Sequence, residues 1–220
     1  MYLNTVIFDM DGLLLDSEPL WFEAAVKVMA GYGVALNEEE YATTIGLRTR
    51  EFLDFWFTRH SISYDELPAA ELAITGLVVD HIRNQGKLMP GAIDKILFFS
   101  DKDFKIGLAT SSPIVIVDAM FARTGLKEYF QAICSAEALP YGKPHPQVYL
   151  NCVEALGSHH SSVLCFEDSY NGMIAAKAAK LKCVVVPDPA RRHEWRWLAA
   201  DYVLDSLTNF DDEILRRLNV

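Results

Sequence analysis

The sequence has no C-x-x-C pair, no G-x-G-x-x-G run, no internal repeat and no low-complexity tract. Four widely spaced cysteines, Cys134, Cys152, Cys165 and Cys183, offer no disulfide framework. Three of them sit inside apolar runs, so they read as buried, reduced thiols of a cytoplasmic protein. Without the glycine fingerprint after its first strand, the chain is not read as a dinucleotide-binding domain. The first residues carry no basic stretch and lead into a strand, so neither a signal peptide nor a membrane span is indicated. Positive charge is also scarce: 20 Lys and Arg against 30 Asp and Glu give a net charge of -10. An acidic surface of that kind repels phosphate backbones and argues against a nucleic-acid partner.

What is present begins with two aspartates. Val6-Ile7-Phe8-Asp9-Met10-Asp11-Gly12 sets Asp9 and Asp11 two residues apart, directly after a β-branched and aromatic run. Thr5–Phe8 reads as a short buried strand closed by an Asp-Gly turn. The period of two turns both carboxylates to one side and Met10 to the other. In an open α/β sheet the carboxyl edge of the strands is where ligands bind. Paired carboxylates there suit a divalent cation and acid/base or nucleophilic work, whereas an acidic turn after a strand is the plainer alternative.

At 220 residues and 51% hydrophobic content the chain can bury a large core. Further strands are predicted at 105–109, 132–134, 163–166, 183–186 and 202–204. Helical patterns lie between them at 91–100, 114–124, 146–156 and 171–179. This alternation predicts a parallel sheet covered on both faces, its strands' carboxyl ends along one edge. Residues 17–87 break the pattern. Leu20, Trp21, Ala24, Ala25, Val28 and Met29 recur at helical spacing after a candidate cap, Ser17, and two more helical stretches follow around 52–57 and 72–82. The expectation is a core of residues 1–16 plus 88–220 with an α-helical cap at 17–87.

Three later strand ends carry polar groups. Thr110-Ser111-Ser112 supplies hydroxyls and backbone N–H groups leading into a helix, which make either an anion site or an ordinary helix cap. Gly142-Lys143-Pro144-His145-Pro146 places one lysine in a proline-fixed loop, where its ammonium can neutralise a phosphoryl group. Glu167-Asp168-Ser169 is a second acidic strand end, or a polar turn capping the next helix. His159 and His160 lack metal-ligand partners and read as a loop, while His145 is expected to position the proline loop.

Asp9-Met10-Asp11-Gly12, Leu108-Ala109-Thr110-Ser111, Lys143-Pro144-His145-Pro146 and Glu167-Asp168-Ser169, in that order, resemble the signature of the haloacid dehalogenase superfamily, and the likeness runs over nearly the whole chain. The stretches at 8–21, 140–150 and 171–177 are similar to its sugar-phosphate phosphatases, in particular the hexitol and 2-deoxyglucose-6-phosphate phosphatases. The resemblance implies a Rossmann-like sheet with an inserted helical cap, and magnesium-dependent hydrolysis of sugar or polyol phosphate monoesters through an aspartyl-phosphate. It assigns Asp9 as nucleophile, Asp11 as acid/base, Thr110 and the Ser111 N–H as phosphoryl holders and Lys143 as charge balance. Magnesium would sit on Asp9, the Asp11 carbonyl and Asp168, with Glu167 as a further candidate; manganese accepts the same hard oxygens. In the cap, Trp21 is a candidate for stacking on a sugar and Arg48 for binding its hydroxyls or a second anion, against packing and surface pairing as alternatives. The expected partner is a small phosphorylated sugar or polyol, and the default assembly is a monomer. Two rivals stand: a β-phosphoglucomutase-like phosphotransferase, disfavoured because Trp21 stands where such mutases carry a cap histidine, and a catalytically silent phosphate- or metal-binding module.

Overall fold

Thr5, Val6, Ile7 and Phe8 are shielded from solvent on both sides, which is the setting of a central strand in a doubly covered parallel sheet. In the computed structural model, which describes residues 2–219, they form β1 (Thr5–Phe8). The other strands are β2 (Lys105–Thr110), β3 (Ala132–Ser135), β4 (Val163–Glu167), β5 (Lys182–Val185) and β6 (Tyr202–Val203). All pairings are parallel and the order is β3-β2-β1-β4-β5-β6. The register sets Phe8 beside Leu108 and Phe166. Asp9, Ala109 and Glu167 therefore leave the sheet side by side.

Side chains alternate between two cores. Val6, Phe8, Leu164 and Phe166 enter one, while Ile7, Val163 and Cys165 enter the other with Cys152 and Cys183. The four cysteines are free; Cys134 is only half-buried, which departs from the fully buried setting expected for its apolar run.

Helices α1 (Glu18–Gly31), α2 (Glu38–Tyr41), α3 (Thr49–His60) and α4 (Leu67–Gln85) come between β1 and α5 (Ala92–Ser100). Periodicity locates the interior of α3 and α4 but not their ends. The short α2 is set by Asn37, whose side chain accepts from Glu40 N, a local device that leaves no apolar period to read. α1 and α3 pack on α4, and α4 also lies against α6 (Ile114–Thr124). The two chain passages joining this insertion to the sheet run together, through Asp16 N to Lys87 O and Met89 N to Leu14 O, each 2.9 Å. The remaining helices are α7 (Gln147–Ala155), α8 (Tyr170–Ala178) and α9 (Asp212–Leu218). The last was not foreseen, being seven residues capped by Asp211. No helix among the described residues is long and apolar enough to cross a membrane.

Beneath β1 an aromatic cluster stiffens the platform. Phe99 meets Phe8, Phe98, Phe104, Phe166 and Phe210 at centroid separations from 5.0 to 6.0 Å. Because this ring is fully buried, Phe99→Ala removes its contacts and leaves a cavity that a sheet cannot readily close. The expected loss is about 3–5 kcal/mol, measured by urea denaturation; a loss below about 1 kcal/mol would show that the cluster is not a packing centre.

Candidate active site

The carboxyl ends of β1, β2 and β4 converge on one buried ammonium. Lys143 Nζ donates to Asp9 Oδ1 at 2.6 Å, to Glu167 Oε1 at 2.6 Å and to Ala109 O at 3.0 Å. Only 3% of Lys143 is exposed, so these three acceptors use all its donors in a medium with no competing water. Glu167 is fixed from behind: Tyr149 Oη donates to its Oε1 at 2.5 Å, and the Ser169 amide and hydroxyl donate to its Oε2. Ser169 also caps α8 by accepting from Gly172 N, so the capping expected of Glu167-Asp168-Ser169 coexists with its acidic cluster.

Burial pushes the Asp9 carboxyl up to about 8, with Glu167 and Asp11 adding repulsion; Lys143 opposes this but is shared between two carboxylates. Burial pulls the Lys143 ammonium down, and Asp9 and Glu167 more than reverse it, leaving the group above the ordinary lysine range. Asp168 is raised well above the ordinary carboxylate range by burial and by Asp9 and Glu167. Ligand atoms of Asp9, Glu167 and Asp168 lie within 4.8 Å of one another. Three carboxylates thus face one ammonium. That deficit of positive charge, on hard oxygen donors, fits a divalent cation such as magnesium. Gly12 closes in on Asp168: at φ +69 it adopts a left-handed conformation, and a Cβ there would stand 2.2 Å from Asp168 Oδ2.

Asp11 is held by both parts of the molecule. Its Oδ1 accepts from Ser17 Oγ at 2.6 Å and Trp21 Nε1 at 2.8 Å, and its Oδ2 from Ser112 Oγ at 2.6 Å. Ser17 does occupy the N-cap position of α1, but its side chain makes no cap bond: its backbone is helical (φ -106, ψ -17) rather than extended, and its hydroxyl is turned to donate to Asp11. Asp9, Asp11, Trp21, Thr110, Ser111 and Lys143 all line one cavity between the sheet edge and the helical insertion. Thr110 Oγ1 accepts from Ser112 N at 3.0 Å, which leaves the hydroxyl proton for another acceptor, and Ser111 Oγ is buried with no partner.

Of the two readings of Arg48, ligand binding or ion pairing, its surroundings favour pairing. Its guanidinium donates to the carbonyls of Leu139, Ala136 and Pro140 at 2.6, 3.2 and 3.3 Å, and pairs with Glu51 at 2.7 Å. Those acceptors, brought from more than eighty residues away, leave it tied to the loop preceding Lys143 rather than lining the cavity. Gly142 N donates to Glu51 Oε1 at 3.3 Å, and a Cβ on Gly142 would meet Arg48 Nε at 2.8 Å. Trp21 lines the cavity and its indole N–H donates to Asp11. Sequence reasoning missed Tyr149, Glu18 and Thr49. Tyr149 sits on the buried face of α7 and reads as core; Glu18 and Thr49 look like ordinary polar positions at helix starts.

The sequence profile of the haloacid dehalogenase-like hydrolases matches residues 6–186. The chain belongs to that family. This haloacid dehalogenase-like hydrolase is 38% identical to hexitol phosphatase B of Escherichia coli (strain K12) over 92% of its own length and 91% of the relative's. It is 33% identical to the phosphorylated carbohydrates phosphatase of Thermotoga maritima, covering 82% and 83% of the two chains. Among solved structures, CbbY from Rhodobacter sphaeroides in complex with phosphate superposes with a TM-score of 0.85 at 28% identity, over 94% of this chain and 96% of that one.

Removing the central ammonium tests the electrostatic account. Lys143→Met, studied in EDTA, leaves Asp9 and Glu167 buried and unpaired and is expected to cost about 3–5 kcal/mol at pH 8. Asp9, already raised by burial, then loses the ammonium that opposes the shift, so its folded-state value lies well above the unfolded value of about 4 and the folded state binds more protons. The deficit relative to wild type should shrink as pH falls from about 8 towards 4. A pH-independent deficit in denaturation titrations would contradict the charge assignment.

Proposed function

We propose that this chain hydrolyses phosphate monoesters of sugars or polyols through an aspartyl-phosphate on Asp9. The observation that carries the reading is the shared cavity of Asp9 and Asp11, in which Asp9 is tied to the buried Lys143 and Asp11 is held at a fixed distance by three donors. The names of the curated relatives support the same substrate class.

In the proposed sequence the Asp9 carboxylate attacks phosphorus and forms an acyl-phosphate bond while the ester P–O bond breaks. Asp11 delivers a proton to the departing alkoxide, then takes one from a water molecule, whose oxygen attacks phosphorus and releases phosphate from Asp9. Thr110 and Ser111 offer hydroxyl donors to the phosphoryl oxygens. Lys143, with its donors committed, acts through its fixed charge on the spreading negative charge of a loose transition state. Asp9, Asp168 and the Asp11 carbonyl would hold magnesium, manganese being an equivalent hard cation; Glu167 supports the cluster through Lys143 and Ser169. When bound, the cation lowers the repulsion between an anionic nucleophile and an anionic ester. Trp21, donating to Asp11, occupies the place of a mutase's cap histidine, which favours water over a second sugar as phosphoryl acceptor.

Asp9→Asn should abolish phosphate release from sorbitol 6-phosphate, and Asp11→Asn should slow it by about 10²- to 10⁴-fold. Substantial turnover by Asp9→Asn in a phosphate-release assay would remove the covalent mechanism. Because Asp9 sits near 8 and must lose its proton to ligate a cation, magnesium affinity should rise with pH up to about 8. Calorimetric titrations between pH 6 and 8.5 that show no such rise would remove Asp9 from the ligand set.

A further inference from the structure

Three buried side-chain oxygens around the cavity have no partner: Ser111 Oγ, Glu18 Oε2 and Thr49 Oγ1. Leaving a buried polar atom unpaired costs about 1–3 kcal/mol each, so a cluster of them facing one space marks where a ligand's polar groups belong. Ser111 follows Thr110 at the phosphoryl end. The other two come from the helical insertion, Glu18 in the first turn of α1 and Thr49 at the start of α3. Around them the insertion presents Ala25, Phe52 and Ile74, which cannot hydrogen-bond.

Glu18 stands between Ser17 and Trp21, both of which donate to Asp11, and lines the same cavity as Asp11. Its unpartnered Oε2 is therefore available on the Asp11 side of the cavity, where a leaving oxygen would be protonated. Thr49 is 7% exposed, and its hydroxyl can both donate and accept. An unpartnered oxygen on Glu18 and a hydroxyl on Thr49 that can donate or accept, in a wall whose other polar side chains are Trp21, Tyr41 and Thr44, match alcohol groups on a carbon chain.

We propose that Glu18 and Thr49 are the specificity-determining pair of the cap side, Glu18 Oε2 accepting from one hydroxyl of the leaving group and Thr49 Oγ1 bonding a second, so that the site selects polyhydroxylated over plain alkyl phosphates. This rests on the phosphatase reading. It goes beyond that reading by naming which residues recognise the organic half of the substrate, a role neither Arg48 nor the core residues fill.

The test compares kcat/KM for sorbitol 6-phosphate with that for hexyl phosphate, which has the same carbon chain and no free hydroxyl, in the magnesium-loaded enzyme. Wild type should favour sorbitol 6-phosphate. Glu18→Ala should reduce that preference by about 10- to 100-fold and Thr49→Val by about 2- to 10-fold, the ranges for a charged and a neutral hydrogen bond. Glu18→Gln, which keeps an accepting oxygen, should fall between wild type and Glu18→Ala. Turnover of hexyl phosphate reports that each variant is folded. Equal losses on both esters, an unmoved ratio, or a wild type that favours hexyl phosphate would overturn the pair while leaving the phosphatase reading intact. A wild type inert on both esters would overturn that reading and the pair with it.

Discussion

The ion pair network of Lys143 is the constraint on which the rest of the site depends. A buried ammonium is tolerated only where its charge and all three donors are answered, and here the answers come from three different strands: Asp9 after β1, Ala109 on β2 and Glu167 on β4. Only a parallel arrangement with β1 between β2 and β4 brings those groups within reach. The sheet order is therefore a condition for the site's electrostatics. The phenylalanine cluster under β1 matters for the same reason, since Phe8 and Phe166 stack at 5.2 Å directly below the two carboxylates and resist changes in their separation.

A second dependence links the sheet to the helical insertion. Asp11 is bonded by Ser112 from one side and by Ser17 and Trp21 from the other. Arg48 and Glu51 reach from the start of α3 to the loop that carries Lys143. The insertion thus touches both the proposed acid/base and the support of the ammonium. A displacement of the helices would loosen both at once.

Much of this was legible in the sequence because strand ends announce themselves. An apolar β-branched run followed by Asp-x-Asp-Gly fixes both a strand and where its carboxylates emerge, and the same holds for Thr110 and Glu167. Lys143 was legible because glycine and proline isolate it from any helix face. What stayed hidden involves contacts between residues far apart in the chain. Arg48 meets carbonyls 88 to 92 residues away, and no local pattern distinguishes such an arginine from one facing solvent. Tyr149 looks like any aromatic on a buried helix face until Glu167 is seen at its hydroxyl. Ser17 looked like a cap because caps are defined by position, and it holds that position, yet its helical backbone turns the hydroxyl towards Asp11 and away from the helix N–H groups.

The charge balance also explains why one lysine serves better than two. Asp9, Glu167 and Asp168 already exceed the single ammonium, and an anionic ester adds to the excess. A second lysine beside Asp9 would pair with it and occupy the proposed nucleophile, since an ammonium neutralises a carboxylate by bonding to it. A divalent cation carries twice the charge at one point, accepts several oxygens at once and can take a phosphoryl oxygen as one of them. The surplus of negative charge in this cluster fits one half of a balance that a cation and a substrate would complete.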